Sequence, residues 1–325
     1  MSDITQAKQS YELSIMSFNV RGLKSTWKQH PLCEDMKKYR ISVGCLQETK
    51  VKLGDEQVYG DYRLILLPSE CGHYGQGFVA HKHLSTCIHR CWRVTDRISV
   101  LQISTGHKSG MLSIINVYAP QSGRIAKNLD ELDSFYEELA RTLTSLENSS
   151  ILFIAGDWNA KVGIRSGDEQ FIGRYGRGYR NLPGTLLAHF CEKFSLFLCN
   201  TAFCHAARHR TTWTGSRTNG VGEPTSIYNQ IDYILCRQAD KAALFDSRSY
   251  GGSRVDSDHK MGVGRFNIKK HHAPLNARRL PSASACGREE EVEIRTSSSP
   301  LLLRRLALSV KKTERLLRIL AIKFP

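Results

Sequence analysis

The sequence has 325 residues, 41% of them hydrophobic, which is enough for one large α/β domain or two ordinary ones. Lys and Arg outnumber Asp and Glu by 46 to 31, so the first expected partner is a polyanion. No uninterrupted apolar run approaches the roughly 18 residues of a membrane helix, and the first residues lack the apolar core of a signal peptide. The ten cysteines form no Cys-x-x-Cys pair, which favours reduced thiols. We therefore expect a soluble intracellular protein, nuclear or cytoplasmic, that does not bind membranes.

Short apolar runs separated by polar loops predict buried strands along the first 236 residues. In chain order these predicted strands are Leu13–Phe18, Ser42–Leu46, Tyr62–Leu67, Gly77–Ala80, Ile98–Ile103, Met111–Val117, Ile151–Ala155, Ser195–Cys199 and Ile231–Cys236. Helices are predicted around Gln29–Tyr39, over Leu129–Leu146 and over Leu186–Phe194. The middle helix has the clearest pattern, because its leucines and Tyr136 recur at spacings of three and four. Many strands with a few long helices indicate a layered α/β sandwich.

Domain boundaries follow from changes in composition. We expect a flexible segment over residues 1–11 and one folded domain over residues 12–268. Residues 269–300 are rich in Lys, Arg, Ser, Ala and Glu without apolar periodicity, which predicts a disordered linker. Periodicity returns in residues 301–325, where a basic amphipathic helix is predicted. Such a helix either docks on the domain, binds a membrane or RNA, or is a tail without function.

Polar residues stand at the ends of the predicted strands, where the sites of α/β proteins collect. They are Asn19 and Arg21, Glu48 and Lys50, Tyr118, Asp157 and Asn159, Asp232, and Asp258 with His259. A turn or an ion pair would explain any one of them. Unrelated turns, however, have no reason to recur in this way at the end of one apolar run after another. The set as a whole therefore predicts an active site.

The chemistry of these residues is consistent with phosphate ester hydrolysis assisted by a metal. The carboxylate of Glu48 and the amide oxygen of Asn19 are ligands that a hard cation such as Mg²⁺ prefers. Asp157 is the candidate base for an attacking water, and Asn159 is suited to hold that water or a phosphate oxygen.

Two further residues are suited to the charge that develops on the phosphate. His259 can donate a hydrogen bond to a phosphate oxygen, and a carboxylate such as Asp232 would keep the imidazole charged. Tyr118 can hydrogen-bond the phosphate or assist the leaving oxygen. These roles require that the groups converge in the folded chain.

Six ordered motifs carry a resemblance to a known family. They read Ser-Phe-Asn-Val-Arg-Gly-Leu, Leu-Gln-Glu-Thr-Lys, Asn-Val-Tyr-Ala-Pro, Gly-Asp-Trp-Asn-Ala-Lys-Val-Gly, Gln-Ile-Asp-Tyr-Ile-Leu and Ser-Asp-His-Lys. Together they resemble the endonuclease/exonuclease/phosphatase superfamily, which includes pancreatic deoxyribonuclease, apurinic-site endonucleases and non-LTR retrotransposon endonucleases. The resemblance implies a DNase I-like, four-layered α/β sandwich of two β-sheets flanked by helices, with Mg²⁺ or Mn²⁺ bound at one end.

The resemblance also implies roles for individual residues. It assigns metal binding to Asn19 and Glu48, with Asp258 beside the ion. The catalytic residues that it implies are Tyr118, Asp157, Asn159 and His259, with Asp232 paired to His259.

Departures from the motifs indicate a branch of the superfamily. Arg21 and Met261 stand where apurinic-site enzymes usually have Asp and Pro. The sequence around Arg21, together with Thr212–Thr214, is more similar to retrotransposon endonucleases and to craniofacial development protein 2-like sequences. In that branch a reverse transcriptase normally follows the endonuclease. None follows here, so we expect a truncated or domesticated copy.

Basic and aromatic residues near the motifs are candidates for nucleic-acid binding. They are Arg21, Lys50, Arg174, Arg177, Arg180, Asn181, Arg210 and Trp213. Three of the arginines lie in a loop rich in Arg, Tyr and Gly, for which a solvated flexible loop is an equal alternative. Six other residues suggest zinc, namely His73, His81, His83, Cys87, His89 and Cys91. Their spacing matches no standard zinc finger, and a hairpin over Phe78–Trp92 explains them better.

The predicted function is that of a magnesium-dependent endonuclease that nicks DNA with low sequence preference. RNA is the alternative polymer, and we expect a monomer. Two rival hypotheses remain open at this stage. One is a phosphatase of small phosphoesters, which the basic charge weakly disfavours. The other is a catalytically inactive nucleic-acid-binding remnant, which the complete set of acidic residues and His259 disfavours.

Overall fold

The computed structural model describes residues 10–105, 110–121, 129–146, 149–220 and 222–269. The predicted linker from residue 270 onward and the predicted C-terminal helix lie outside these residues. Ser10 and Tyr11, expected in the flexible segment, belong to the first strand because they pair with Lys269 and Ile268. Within the described part of the chain, no helix has both the length and the apolar character needed to cross a membrane.

The strands are more numerous than the sequence predicts. They are β1 (Ser10–Asn19), β2 (Val43–Gln47), β3 (Asp55–Tyr59), β4 (Tyr62–Leu66), β5 (Gln76–His81), β6 (Ile88–Thr95), β7 (Ile98–Ser104), β8 (Met111–Tyr118), β9 (Ile151–Asp157), β10 (Leu196–Leu198), β11 (Trp213–Thr218), β12 (Pro224–Asn229), β13 (Asp232–Arg237), β14 (Leu244–Tyr250) and β15 (Met261–Lys269).

The three predicted helices are present, with bounds that differ by a few residues at some ends. The helices are α1 (Thr26–Lys38), α2 (Lys82–Ser85), α3 (Leu129–Ser145), α4 (Leu182–Lys193) and α5 (Ala207–Arg210).

Two sheets and one hairpin contain all of these strands. The first sheet has the order β14-β15-β1-β2-β5-β4-β3, and the second has the order β10-β13-β9-β8-β7-β6. Neighbouring strands are antiparallel except for β1 with β2 and β8 with β9. These two parallel pairs are joined through α1 and through the segment that contains α3, as parallel neighbours need a long crossover. Strands β11 and β12 form a separate hairpin.

Three apolar clusters hold four layers together. The cluster between the two sheets includes Ile15 and Cys45 from the first sheet and Phe153 from the second. On the outer face of the first sheet, α1 buries residues such as Leu32. Helices α3 and α4 cover the second sheet, where Leu139 is fully buried. The predicted four-layered α/β sandwich is confirmed.

The predicted hairpin over Phe78–Trp92 is wrong. Strand β5 lies in the first sheet and β6 lies in the second, so the short helix α2 carries the chain across the sandwich. The two strands also differ in burial, since β5 is buried along nearly all of its length whereas β6 is partly buried or exposed. Strand β3 was missed because it is an exposed edge strand of mostly polar residues.

Strand direction brings the motifs to one end of the sandwich. The parallel pairs end together, with Asn19 beside Gln47 and Tyr118 beside Asp157. Strand β13 runs antiparallel to β9, so its first residue, Asp232, lies opposite Asp157. Strand β15 likewise begins beside the end of β1. The carboxyl ends of four strands and the amino ends of two therefore meet at one edge.

A buried polar network joins the two sheets directly beneath that edge. The side chain of Asn116 on β8 donates hydrogen bonds to the backbone oxygens of Leu46 (2.9 Å) and Gly77 (3.1 Å) in the other sheet. Gln47 Nε2 donates to Asn116 Oδ1 at 2.7 Å. Because buried amides must be satisfied, this network fixes how the two sheets are aligned.

Replacing Asn116 with leucine tests this network. Asn116→Leu keeps the approximate volume and leaves two carbonyl oxygens and the Gln47 amide without these partners, so the free energy of unfolding should fall by about 2–5 kcal/mol. Urea denaturation followed by circular dichroism measures the loss. Asn267→Leu, at an exposed position of β15, is the control and should change stability by no more than about 0.5 kcal/mol. Equal effects of the two substitutions would rule out a structural role for the network.

Candidate functional site

Asn19 is the buried link between two of the motifs. Its Nδ2 donates hydrogen bonds to Glu48 Oε1 at 2.9 Å and to Asp157 Oδ2 at 3.0 Å. Its Oδ1 accepts a hydrogen bond from the backbone N–H of Arg21 at 3.1 Å. The assignment of the amide nitrogen follows from its neighbours, since two carboxylates can only accept hydrogen bonds. Asn19 therefore joins residues that are far apart in sequence.

Glu48 lies in a sharp turn after β2 and is held by three groups. The backbone of Glu48 is left-handed (φ 52°), which turns its side chain back toward the sheet edge. Tyr118 donates its hydroxyl to Glu48 Oε1 at 2.8 Å, and Lys50 Nζ is 3.3 Å from Oε2. Burial opposes ionisation, but the hydrogen bonds from Asn19 and Tyr118 and the charge of Lys50 hold the pKa of Glu48 below its ordinary value. Glu48 is thus a partly buried carboxylate that stays ionised.

Two aspartates and one histidine form a second buried group. His259 Nδ1 donates to both oxygens of Asp232, at 3.0 and 3.1 Å. His259 Nε2 is 3.8 Å from Asp157 Oδ2. All three side chains are buried, and their exposed fractions do not exceed 9%. The charges of these three residues therefore act mainly on one another, because little solvent reaches them to screen the interaction.

Burial and mutual attraction shift the pKa values of this group. Burial disfavours the charged form of His259, but the carboxylates of Asp232 and Asp157 outweigh it and raise the pKa of His259 to about 9. Burial, reinforced by the charge of Asp232, raises the pKa of Asp157 to about 7. His259 is therefore a cation at neutral pH. Its charge stabilises the fold fully below the ordinary histidine pKa of about 6.5, and that stabilisation is lost as the pH rises toward 9.

Two hydroxyl groups that the sequence did not single out hold this group in place. Thr212 Oγ1 accepts hydrogen bonds from the backbone N–H groups of Ile231 (2.9 Å) and Asp232 (3.1 Å). Ser257 Oγ donates to the backbone oxygen of Asn19 at 2.7 Å and accepts from the N–H of His259 at 3.1 Å. Both residues lie inside the motifs, so only their role was missed.

Asp258 makes contacts different from those of the other carboxylates. Its Oδ2 accepts from Arg21 Nη1 at 2.8 Å and from Trp213 Nε1 at 3.0 Å. Its Oδ1 is buried and has no hydrogen-bond partner among the described residues, and it lies 3.9 Å from His259 Nε2. The structure thus brings Arg21 and Trp213, both predicted to bind nucleic acid, to the edge of the site.

Asn159 lies beside Asp157. Its backbone N–H donates to Asp157 Oδ1 at 3.0 Å, and its side-chain Nδ2 donates to the backbone oxygen of Ala119 at 2.9 Å. The left-handed backbone at Asn159 (φ 48°) allows this turn. Asn159 therefore orients one oxygen of Asp157 from directly behind it.

The remaining residues predicted to bind nucleic acid divide into two kinds. Arg180 pairs with both oxygens of Glu169, and Asn181 Oδ1 caps α4 by accepting from the N–H of Gly184 at 2.9 Å. Arg177 and Arg210 donate to backbone oxygens, which fasten the Arg/Tyr/Gly loop to the β11–β12 hairpin and to α5. Arg174 is exposed. The polar groups of Arg180 and Asn181 are thus used within the domain.

Two neighbouring groups of side chains are candidate ligands for a metal ion. Asp157, Asp232 and His259 offer ligand atoms that lie within 4.8 Å of one another. In the metal-free chain, however, His259 is held as a cation and its Nδ1 is hydrogen-bonded to Asp232, so a metal ion would have to displace a ring proton to bind it. The group of Glu48 and Asn19 has an ionised carboxylate and an amide, and the partnerless Oδ1 of Asp258 adds negative charge nearby. This second donor set fits a hard divalent cation.

The six histidines and cysteines considered for zinc form no comparable group. Within the described ranges, the one set of three converging His, Cys, Asp or Glu ligands is that of Asp157, Asp232 and His259. The cysteine thiols at positions 87 and 91 are instead neutral, because burial raises the pKa of each. Burial thus disfavours the thiolate form in which these two cysteines would bind zinc.

Comparisons of the sequence with known proteins agree with the motifs. A model of the Endonuclease/Exonuclease/phosphatase family matches residues 16–259. Craniofacial development protein 2 of Bos taurus is 29% identical over 269 residues, which cover 82% of this chain and 43% of that protein. The protein of the same name from Tragulus javanicus is also 29% identical over 269 residues, or 44% of its length. The chain thus spans less than half the length of these curated relatives.

Solved structures with the same fold come from several nucleases. An AP endonuclease from Leishmania major has a TM-score of 0.58 at 17% identity, over 79% of this chain and 88% of that one. The endonuclease domain of TRAS1, a telomere-specific non-LTR retrotransposon, has a TM-score of 0.53 at 14% identity, over 78% and 98%. A 3′ phosphatase from Neisseria bound to a product DNA hairpin has a TM-score of 0.53 at 15% identity, over 78% and 99%. At these identities the likeness concerns the fold, and the resemblance predicted from the motifs is confirmed.

The charge on His259 can be tested by titration of the metal-free protein. Proton NMR of the imidazole should give a pKa of about 9 for His259, with its signal assigned by comparison with His259→Gln. In Asp232→Asn the burial remains while the nearest carboxylate is lost, so the pKa should fall to the ordinary value of about 6.5 or below. Asp246→Asn, which removes the partner of His205, is the control and should leave His259 unchanged. An unaltered titration of His259 in Asp232→Asn would refute this account of its charge.

Proposed function

The chain belongs to the Endonuclease/Exonuclease/phosphatase family, and we propose that it is a divalent-metal-dependent endonuclease that nicks the phosphodiester backbone of DNA. One observation carries the proposal. A cationic imidazole, a buried carboxylate with a pKa near 7 and an ionised carboxylate–amide pair converge at one sheet edge. These groups offer a hydrogen-bond donor, a base and a cation site, each of which can promote hydrolysis of a phosphodiester.

We assign the metal site to Glu48 and the side-chain oxygen of Asn19. Both are oxygen ligands of the kind that Mg²⁺ and Mn²⁺ take, and Asp258 contributes charge beside them. Rotation of the Asn19 amide would turn Oδ1 toward the site, where its nitrogen now lies between two carboxylates. When bound, the ion neutralises charge on the phosphate and polarises its bond to the leaving oxygen. Tyr118 keeps Glu48 in position through its hydroxyl.

Asp157 is the proposed base. A carboxylate whose pKa lies near 7 can take a proton from water near neutral pH and still release it afterwards. The backbone N–H of Asn159 holds Asp157 Oδ1, while Oδ2 faces Asn19 and His259. As the water oxygen forms its bond to phosphorus, its proton moves to Asp157 and the bond from phosphorus to the leaving oxygen breaks on the opposite side. The released oxygen then takes a proton from solvent.

His259 is the proposed donor to the phosphate. Nδ1 is held by Asp232, so the other N–H, on Nε2, is directed toward Asp157 and the open side of the site. A hydrogen bond from this cation to a non-bridging oxygen strengthens as negative charge develops there. Asp232 preserves the charge on the ring, which is the reason for its burial beside it.

The proposed substrate is DNA because the chain is basic and two of its basic side chains, Arg21 and Lys50, lie at the acidic site. The whole chain carries a formal charge of +15, and Arg174, Arg21 and Lys50 are at least partly exposed on loops of the domain. Guanidinium groups contact phosphates without reading sequence, so nicking should show low sequence preference. Three structural relatives are named for action on nucleic acid or for a DNA complex. We propose that residues 10–269 form the nuclease domain.

Nicking of supercoiled plasmid by the purified full chain tests this function directly. With Mg²⁺ the wild type should convert supercoiled plasmid to open circles, and chelation by EDTA should stop it. Asp157→Asn and His259→Gln should each reduce the rate by a factor of about 10² or more, because each removes a group that acts on the transition state. Asp168→Asn and His189→Ala, both at exposed positions, are the matched controls and should nick normally.

Each alternative outcome in that assay has a distinct meaning. Intact plasmid with retained DNA binding would favour an inactive binding protein. Intact plasmid with release of phosphate from small phosphoesters would favour a phosphatase. Nicking that survives in both site variants would place the activity elsewhere or in a contaminant, and would refute the assigned site.

Binding of Mn²⁺ distinguishes the assigned ligands from their neighbours. Titration calorimetry on Glu48→Gln should show that the affinity for Mn²⁺ falls by about tenfold or more, because the substitution removes an ionised ligand. Asp258→Asn should have a smaller effect, since Arg21 and Trp213 already use Oδ2. Glu56→Gln, an exposed carboxylate paired with Arg63, is the control. Stronger dependence on Asp258 than on Glu48 would reverse the assignment.

A further inference from the structure

Arg97 is a partly buried arginine that the sequence motifs do not include. It lies in the turn between β6 and β7, and its side chain is 14% exposed. Its guanidinium carbon lies 4.2 Å from the centre of the Tyr74 ring and 5.2 Å from that of Tyr118. Its Nη2 pairs with Glu131 in the first turn of α3. Arg97 therefore contacts two aromatic rings and a carboxylate at once.

Two hydrogen bonds join Arg97 and Tyr118, one between their backbones and one from the Arg97 side chain to the Tyr118 backbone. The N–H of Tyr118 donates to the backbone oxygen of Arg97 at 2.9 Å. Arg97 Nη1 donates in return to the backbone oxygen of Tyr118 at 3.2 Å. The backbone oxygen of Arg97 also accepts from Gln76 Nε2 at 3.0 Å, within the network between the sheets. Tyr118 is thus held at its N–H, its carbonyl and its ring face by one residue.

The position of the ring determines what the Tyr118 hydroxyl can reach. That hydroxyl donates to Glu48 Oε1 at 2.8 Å, and Gln121 Nε2 lies 3.4 Å from it. A tyrosine ring pivots about its backbone, so a small rotation at Tyr118 would move its hydroxyl out of hydrogen-bond range of Glu48. Stacking of a planar guanidinium on the ring opposes such rotation, and lysine cannot reproduce this contact fully.

We propose that Arg97 is a positioning residue for Tyr118, which it stacks against and hydrogen-bonds so that the hydroxyl stays on Glu48. Arg97 acts through Tyr118 and does not contact the phosphate. The proposal extends the proposed function, because it concerns the same site. The side chains of Arg97 and Tyr118 are then coupled, and this coupling can be measured by NMR as well as by the rate of nicking.

Fluorine NMR of protein labelled with 3-fluorotyrosine tests the positioning directly. The Tyr118 signal is assigned by its absence in Tyr118→Phe. In Arg97→Gln that signal should shift or broaden, because the ring loses its stacked cation, whereas Arg97→Lys should give an intermediate change. Arg93→Gln is the matched control, since Arg93 lies on β6 and also pairs with two carboxylates, Glu70 and Asp96. An unchanged Tyr118 signal in Arg97→Gln would overturn the proposal.

A double-mutant cycle on the nicking rate measures the functional coupling. Arg97→Gln should lower kcat by about tenfold in the wild-type background and by much less in Tyr118→Phe, because its effect runs through that hydroxyl. Arg93→Gln should leave kcat unchanged in both backgrounds. An equal loss in the two backgrounds would assign Arg97 a general structural role and refute positioning. If the wild type does not nick DNA, the proposed function fails, and the NMR result still decides the role of Arg97.

Discussion

The site depends on two buried aspartates that face each other across adjacent strands. Asp157 ends β9 and Asp232 begins β13, directly opposite in the ladder. Two buried carboxylates so close repel each other and are poorly solvated, so both cannot stay ionised without a cation. His259 provides that cation, and its raised pKa is the measure of their attraction. The strand register, the hydroxyl of Thr212 and that of Ser257 together keep the three groups in this arrangement.

The sandwich makes such an arrangement possible because the site lies at the edge where both sheets end, so that each sheet supplies hydrogen-bonding partners. Asn19 comes from the first sheet and Asp157 from the second, yet their side chains are hydrogen-bonded. Just beneath, the amides of Gln47 and Asn116 bridge the same two sheets. A shift of one sheet against the other would break both contacts at once. Alignment of the layers and geometry of the site are therefore one structural property, which explains why polar side chains are retained in this part of the core.

The sequence predicts most of the fold and which side chains the fold brings together at the candidate site, and the reasons for the failures are physical. Strand β9 is apolar along most of its length because both of its faces are covered, and this signal is strong. Strand β3 has no such signal, since an exposed edge strand can be polar on both faces. The hairpin predicted over Phe78–Trp92 is wrong because alternation of side chains along a sequence does not show which sheet each strand joins.

The contacts of individual residues were less predictable than their positions in the fold. Arg180 and Asn181 are predicted nucleic-acid contacts, but composition reports charge and says nothing of a partner within the domain. In the fold, Glu169 and the first turn of α4 use their polar groups. Arg97 is the converse case, a residue without a signal in the sequence that contacts Tyr118 in the fold. It stands in an ordinary turn sequence, and its contact with Tyr118 becomes visible only when β7 and β8 are paired.

Pairing of the acidic groups explains why one of them is suited to be the base. Asp258 has Arg21 as its cation, Glu48 has Lys50, and Asp232 has His259 at hydrogen-bond distance. Asp157 has no cation of its own and shares His259 from 3.8 Å. Its charge is therefore the least compensated of the four, which is why burial raises its pKa to about 7. The carboxylate that the fold stabilises least as an anion is the one that can accept and release a proton near neutral pH.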